Sequence, residues 1–135
     1  VAPSRGLGDV YKEDVGYSQG IELKPGYVPD TYYLLFSRDE VLGFAKLRHY
    51  LNDFLLNHGG HIGYGIRPTC RGRKLGNLIL SEVLKQARLM SLERVLLTIR
   101  DYNTLSRKVC EFNGGKLEKV VPGAEFAECF YWIEL

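Results

Sequence analysis

The segment Ile66-Arg-Pro-Thr-Cys-Arg-Gly-Arg-Lys-Leu-Gly-Asn77 joins an apolar strand to an amphipathic helix through a turn that contains glycine. Pro68 ends the preceding strand, His61–Arg67, because proline has no backbone N–H to donate to a sheet. Where such a turn opens a helix, several backbone N–H groups converge and the helix dipole adds about half a positive charge. The segment is therefore a candidate anion site.

The charges around this turn also favour an anion site. No Asp or Glu occurs over residues 54–81, whereas Arg67, Arg71, Arg73 and Lys74 fall within eight residues. A basic stretch of this kind is typical of a surface that binds an anion, although a solvated basic loop would show the same charges. The net charge of +2 says little by itself.

Two common nucleotide-binding motifs do not fit this region. Gly72 and Gly76 lack the spacing of a P-loop, and no Lys-Ser follows them. A dinucleotide fingerprint that began at Gly63 and Gly65 would need its third glycine at Pro68. Nucleotide hydrolysis and nicotinamide chemistry are therefore disfavoured.

The rest of the chain alternates between strand and helix patterns. The predicted elements are strands over 31–36, 41–48 and 61–67, a helix over 75–90, a strand over 94–99, a helix over 103–112, and strands over 116–121 and 128–135. The apolar arc of the first helix, expected to lie on a sheet, consists of Leu75, Ile79, Leu80, Val83, Leu84, Ala87 and Met90. This order, β-β-β-α-β-α-β-β, predicts an α/β mixed sandwich.

The second helix has two distinct faces. Asn103 can cap its N-terminus, and Gly114-Gly115 ends it. The apolar stripe, which we expect to face the core, consists of Leu105, Val109 and Phe112. The small polar face, which lies within about 60° on the helical wheel, consists of Asn103, Ser106 and Cys110.

Length and composition indicate a single soluble globular domain. The 135 residues are 45% hydrophobic and 25% charged. No apolar run approaches the ~20 residues that span a bilayer, and the N-terminus lacks a signal-peptide pattern. We predict an irregular N-terminal segment over 1–30 and a folded domain over 31–135. The three cysteines form no Cys-x-x-Cys pair, which argues against disulfides and metal and favours a cytoplasmic location without membrane binding.

The turn and its flanks resemble the cofactor motif of the GNAT superfamily of acetyl-coenzyme A-dependent N-acetyltransferases. In that motif a strand ending in Val/Ile-x-Pro precedes Arg/Gln-x-x-Gly-x-Gly/Ala, as Ile66-Arg-Pro68 precedes Arg71-Gly-Arg-Lys-Leu-Gly76 here. Lys74 stands where the family usually has glycine, and its Cβ disfavours a positive φ. The family's opening strand and helices have no visible counterpart in residues 1–30.

Two further family segments are similar to parts of this chain. The strand Glu-Ile-Gly-Tyr-x-Val-x-Pro resembles residues 60–68, with His61 at the Glu position. The helix Asn-x-x-Ala-x-x-x-Tyr-x-x-x-Gly-Phe resembles residues 103–115, with Cys110 at the Tyr position. Each motif is weak by itself, but the three occur in the family's order on the predicted elements.

The resemblance implies a GNAT fold, with a central mixed sheet, a splayed strand pair at the cofactor site and helices on both faces. It implies acetyl-coenzyme A as co-substrate, no metal, and direct attack of a primary amine on the thioester in a ternary complex. The residues that it assigns to the cofactor are Ile66, Arg71, Gly72, Arg73, Lys74, Gly76, Asn77, Asn103 and Ser106. The Ile66 N–H would polarise the thioester carbonyl, and the turn would hold the phosphates.

The resemblance also makes His61 and Cys110 candidates for proton transfer. A histidine, with an ordinary pKa of ~6.5, suits proton removal from an amine, although a hydrogen-bonded structural histidine fits His61 equally well. A cysteine, with an ordinary pKa of ~8.5, is near a coenzyme A thiol in acidity, and packing is the alternative for Cys110.

Other functions stay open at this point. A catalytically weak or inactive coenzyme A-binding module would keep the same motifs. A nucleic-acid binder could use the cluster Arg67–Lys74, but the cluster has no interleaved aromatic residues, so we expect no nucleic-acid partner. The sequence specifies neither the acceptor, a small-molecule or peptide amine, nor the oligomeric state, a homodimer included.

Overall fold

The strands and helices follow the predicted order, with short additions. A computed structural model describes residues 2–3 and 25–135, so most of the predicted irregular segment over 1–30 lies outside the described residues. The strands are β1 (Ala2–Pro3), β2 (Asp30–Ser37), β3 (Glu40–Arg48), β4 (Ile62–Ile66), β5 (Arg94–Arg100), β6 (Lys116–Val121) and β7 (Glu128–Glu134). The helices are α1 (Asp53–Asn57), α2 (Leu75–Leu89) and α3 (Thr104–Phe112), with a 3₁₀ turn over Pro68–Cys70. The predicted α/β sandwich is confirmed.

The strands form two antiparallel sheets, where we expected one central mixed sheet. The first sheet has the order β1-β2-β3-β4 and the second the order β5-β7-β6. Helix α2 connects β4 to β5, yet these two strands share no ladder in the described part of the chain. This separation is the strand splay that the family resemblance implied.

The two sheets touch at one junction between the start of β4 and the middle of β5. The His61 N–H donates to the Leu96 carbonyl at 2.7 Å, and Gly60 forms an isolated bridge with Leu97. Gly60 has a φ of +64°, and a Cβ there would stand 2.5 Å from the Leu96 oxygen. Only glycine allows the chain to pass this close to β5. The junction therefore holds the sheets together at one end of the β4–β5 pair.

Helix α2 supplies the main contacts between the sheets and the core. Most of the predicted apolar arc is buried, namely Ile79, Leu80, Val83, Leu84 and Ala87. These side chains pack with buried residues of both sheets, among them Leu47, Val95 and Tyr131. Fully burying an aliphatic side chain contributes about 1.5–3 kcal/mol, so this face alone stabilises the position of α2. Among the described residues α2 is the longest helix, with 15 residues, and none of the helices is long and apolar enough to cross a bilayer.

Helix α3 has the opposite orientation from the predicted one. Of the apolar stripe, Leu105 is 72% exposed and Phe112 is 78% exposed, while Cys110 on the polar face is fully buried. A Cβ on Gly115 would lie 2.4 Å from the Cys110 Sγ, so the thiol packs directly against the chain that follows the helix. The prediction was wrong because a small thiol beside a glycine permits a close approach that larger apolar side chains would prevent.

This orientation of α3 can be tested by truncating its exposed side chain. Phe112→Ala should change the free energy of unfolding by less than about 0.5 kcal/mol, because little apolar area is buried there. The control Leu84→Ala, at a position only 3% exposed, should cost about 2–5 kcal/mol. Chemical denaturation measures both values. Similar costs for the two variants would show that α3 buries its apolar stripe after all.

Candidate functional site

The separation of β4 and β5 creates a cleft whose walls carry unpaired backbone groups. The Arg48 N–H donates to His61 O and the Arg67 N–H donates to Leu42 O, each at 2.8 Å. Because bonded and non-bonded pairs alternate along an antiparallel ladder, the backbone groups of Tyr64 and Ile66 point away from β3. They face the cleft.

The opposite wall of the cleft follows the same rule. The Leu135 N–H donates to Glu93 O at 2.9 Å, and the β5–β7 register continues from this pair without a shift. By the same alternation, the backbone groups of Leu96 and Thr98 point away from β7 and towards β4. Leu96 is satisfied at the junction, but Thr98 lies beyond it. An extended ligand with amide groups could therefore bond to both walls.

The turn between β4 and α2 keeps a left-handed conformation in spite of its lysine. Lys74 has φ 60° and ψ 21°, and Gly72 has φ 82°. A non-glycine residue in this region costs on the order of 1 kcal/mol or more, so the surrounding contacts must hold Lys74 there. The departure from the family's glycine at Lys74 therefore leaves the shape of the turn intact.

The first turn of α2 presents its N–H groups without a cap. Lys74 at the N-cap makes no side-chain hydrogen bond to the helix, and the first turn has no acidic residue. The first N–H groups of any helix have no partner within the helix, which leaves them available to an anion. Arg71, Arg73 and Lys74 are exposed around them. The Arg71 Nε donates to the Ile66 carbonyl at 3.3 Å, so this guanidinium lies at the mouth of the cleft.

Gly76 allows α2 and α3 to approach each other. A Cβ at this position would stand 3.4 Å from a methyl group of Val109 and 3.8 Å from the Tyr64 ring. The glycine therefore faces α3 and β4. Asn77, one residue later, accepts a hydrogen bond from the Asn113 side chain at 3.4 Å. These contacts place the N-terminus of α2 beside α3.

The start of α3 also adjoins the cleft. The Asn103 side chain accepts from the Ser106 N–H at 3.3 Å, so the predicted cap is confirmed. The Ser106 side chain is half-buried and lies near the Tyr64 phenol. Arg107 was not anticipated: its Nε donates to the buried Tyr131 hydroxyl at 3.0 Å. The N-termini of both helices thus follow strands that line the cleft, where ligands commonly bind in α/β proteins.

His61 has its ring engaged at the junction of the sheets. The Leu96 N–H donates to the His61 Nδ1 at 2.9 Å, so Nδ1 holds a lone pair and the neutral ring carries its proton on Nε2. Burial of the ring, with the guanidinium groups of Arg48 and Arg94 nearby, lowers the pKa of His61 to about 4. These contacts favour the structural alternative that the sequence left open.

Cys110 is a neutral thiol inside the core. Burial, with the Glu111 carboxylate adding to it, raises the pKa of the Cys110 thiol to about 12. Its Sγ lies against Gly115, so the thiol points at the chain that follows the helix. This geometry favours packing over proton transfer. No group of three or more His, Cys, Asp or Glu side chains in the described ranges, 2–3 and 25–135, is arranged to hold a metal ion.

The comparison with protein families identifies the group to which this chain is related. The profile of the acetyltransferase (GNAT) family matches residues 9–114. The chain belongs to the GNAT acetyltransferase family. The match includes residues 9–30, where inspection of the sequence finds no family motif. Among curated protein sequences there is no significant match.

Solved structures show the same fold at low identity to this GNAT chain. The yncA protein of Salmonella typhimurium, solved with its cofactor acetyl-CoA, is 17% identical with a TM-score of 0.69, over 78% of this chain and 65% of that one. A ribosomal-protein-alanine N-acetyltransferase of Brucella melitensis is 13% identical with a TM-score of 0.70, over 100% of both chains. RimL, a ribosomal alpha-N-protein acetyltransferase in complex with coenzyme A, is 19% identical with a TM-score of 0.71, over 94% of this chain and 70% of that one. This chain therefore spans slightly less than two thirds of the yncA protein.

Sequence reasoning missed one residue in the cleft of this GNAT domain. Tyr64 belongs to the strand segment that resembles the family, but it was given no role. Its hydroxyl is buried and has no hydrogen-bond partner among the described residues. The signal was present in the sequence: Tyr64 precedes Ile66 by two residues, so both side chains lie on the same face of β4.

The state of His61 in this GNAT domain predicts how stability depends on pH. An unfolded histidine binds a proton near pH 6.5 and the folded one only near pH 4. Stability should therefore fall by about 1–3 kcal/mol as the pH drops through this window, because the unfolded state takes up the proton first. His61→Asn keeps an acceptor for the Leu96 N–H but does not titrate, so it should flatten this dependence. Urea unfolding at pH 7 and pH 5 measures it, with His58→Asn at an exposed site as control. Equal slopes for wild type and His61→Asn would contradict a buried neutral ring.

Proposed function

We propose that this chain transfers an acetyl group from acetyl-coenzyme A to a primary amine, which attacks the thioester directly in a ternary complex. One observation carries this proposal: backbone groups of Tyr64, Ile66 and Thr98 face one another across the β4–β5 cleft, and an uncapped helix begins at its end. The pantetheine arm of coenzyme A has two amides, and its pyrophosphate is an anion. A chain of amides that ends in phosphates matches such a cleft.

The phosphate end is assigned to the turn and the first residues of α2. The backbone amides of Arg73, Lys74, Gly76 and Asn77 would hold the pyrophosphate, helped by the conformation of Gly72 and the absence of acidic residues. The Arg71 and Arg73 side chains would add charge-assisted hydrogen bonds. Asn103 and Ser106, at the start of α3, adjoin the pantetheine path.

The thioester end is assigned to β4. When bound, acetyl-coenzyme A supplies an acetyl group activated as a thioester. The Ile66 N–H, released from the β3 ladder, would donate to the carbonyl oxygen as negative charge develops there. The wall of the cleft would hold the acetyl carbon still while the amine approaches, which converts part of the entropy of activation into binding.

The two proton transfers are the less determined part of the proposal. Proton removal by His61 stays a prediction, and it would require the ring to give up its contact with the Leu96 N–H. Proton delivery by Cys110 also stays a prediction, since a thiol with a pKa of about 12 keeps its proton but donates it poorly. Ordered water is the alternative carrier for either proton.

The acceptor is proposed to be a small-molecule or peptide amine. RimL and the Brucella melitensis protein are named as acetyltransferases of ribosomal proteins, which makes a peptide N-terminus a reasonable first substrate class to test. A cytoplasmic location and a homodimer stay predictions. The free thiols of Cys70, Cys110 and Cys129 are consistent with a reducing compartment.

A second candidate function is a coenzyme A-binding module with little or no catalysis. The observation that favours it is the state of both proton-transfer candidates, because His61 lacks a free acceptor nitrogen and Cys110 is buried. The cleft would bind the same ligand under either function. Only turnover separates the two.

Binding and turnover test these two functions together. Coenzyme A or acetyl-coenzyme A at 100 to 1,000 times its Kd should stabilise the fold by about 3–4 kcal/mol through mass action, seen as a rise in Tm. With acetyl-coenzyme A and a panel of small amines and peptides with free N-termini, an accepted amine should release thiol. Stabilisation without thiol release for any amine would support the inactive module. Absence of stabilisation by either ligand would overturn both functions.

The two arginines of the turn give a sharper test of the binding mode. Arg71→Ala combined with Arg73→Ala should weaken coenzyme A about 10- to 1,000-fold, the scale of one or two charge-assisted hydrogen bonds. If they act on the pyrophosphate, dephospho-coenzyme A should lose affinity by the same factor in calorimetry. A much larger loss for coenzyme A would move them to the 3′-phosphate. Arg88→Ala, an exposed change in the last turn of α2, is the control and should leave both affinities unchanged.

A further inference from the structure

The Tyr64 hydroxyl is a buried donor without an acceptor. Its oxygen is inaccessible to water and has no hydrogen-bond partner among the described residues. A buried polar group is nearly always paired in a folded protein, so an unpaired one calls for an explanation. The proposed thioester site is two residues further along the same strand, at Ile66.

The surroundings of this phenol belong to the cleft. Its ring lies next to Gly76 at the start of α2, and Ser106 and Cys110 of α3 lie near its hydroxyl. Burial raises the pKa of Tyr64, the Ser106 hydroxyl opposes this shift, and the Cys110 thiol adds to it. The Ser106 side chain influences the phenol but does not reach hydrogen-bonding geometry. The phenol therefore stays protonated at neutral pH and has a proton to donate.

We propose that the Tyr64 hydroxyl donates its proton to the sulfur that leaves coenzyme A during acetyl transfer. This inference rests on the function proposed above and adds a proton donor that neither sequence candidate supplies. The Cys110 thiol lies against Gly115, whereas the phenol starts from the strand that holds the thioester. A donor without a partner in the free protein gains one when the sulfur arrives.

The proposed step balances in atoms and charge. The amine nitrogen bonds to the acetyl carbon, the carbon–sulfur bond breaks, and its electron pair goes to the sulfur. The sulfur takes the proton of the Tyr64 hydroxyl and leaves as a thiol. The phenolate is reprotonated by the proton that the amine nitrogen loses, carried through solvent. The products are an amide and coenzyme A, with the enzyme unchanged.

Tyr64→Phe tests this role because it removes only the hydroxyl. Turnover should fall about 100-fold or more, the usual scale of general acid assistance, with little change in the KM for acetyl-coenzyme A. The Tm should stay the same or rise, because the lost hydroxyl has no partner in the free protein. Tyr33→Phe is the matched control, since Tyr33 also packs against the core but has its hydroxyl beside Thr31. It should keep its turnover.

A binding measurement tests the sulfur contact without turnover. Wild-type protein should bind coenzyme A roughly three- to tenfold more tightly than desulfo-coenzyme A, the worth of one hydrogen bond to sulfur, and Tyr64→Phe should lose that preference. Calorimetry with both ligands measures it.

The outcomes separate this inference from the function on which it rests. Unchanged turnover and unchanged sulfur preference in Tyr64→Phe would overturn the donor role and leave the acetyltransferase proposal standing. A clear loss of Tm in Tyr64→Phe, with turnover kept, would make the hydroxyl structural and overturn the role as well. If wild-type protein binds no coenzyme A, the proposed function and the donor role both fall.

Discussion

The contact between His61 and Leu96 is the constraint on which the cleft depends. Two hydrogen bonds join these residues: the His61 N–H reaches the Leu96 carbonyl at 2.7 Å, and the Leu96 N–H reaches the imidazole at 2.9 Å. The second bond ends on a side chain, where a continuing sheet would use a backbone carbonyl. The pairing of β4 with β5 therefore stops after one step, and both strands keep their remaining edge groups for something else.

What lies beyond that junction is a site for an anion attached to a chain of amides. β4 leads into the basic turn and α2, and β5 leads into α3, so both helix N-termini follow the walls of the cleft. Gly76 lets the two helices meet there, and the left-handed Lys74 keeps the turn open at the start of α2. The backbone provides most of this recognition, which explains why distant sequences can share the fold and the proposed cofactor.

The titratable side chains around the cleft are neutral, and each is neutral for a different reason. His61 gives a lone pair to the junction, Cys110 is enclosed by α3 and Gly115, and Tyr64 keeps a proton without an acceptor. Desolvation is the largest influence on the pKa of all three. A neutral, partly dry cleft suits a reaction in which charge appears only briefly, because each fixed donor acts more strongly there than in water.

Local patterns in the sequence determined the order of the elements, the apolar face of α2, the Asn103 cap and the anion-binding turn. Each of these depends on residues close together in the chain, where helical periodicity and glycine or proline chemistry act directly. Only the tertiary structure decided which face of α3 is buried, because that choice depends on the room beside Gly115 and Gly76. The same holds for His61 and Tyr64. Whether their polar atoms find partners is settled by residues distant in the chain, Leu96 for the first and none among the described residues for the second.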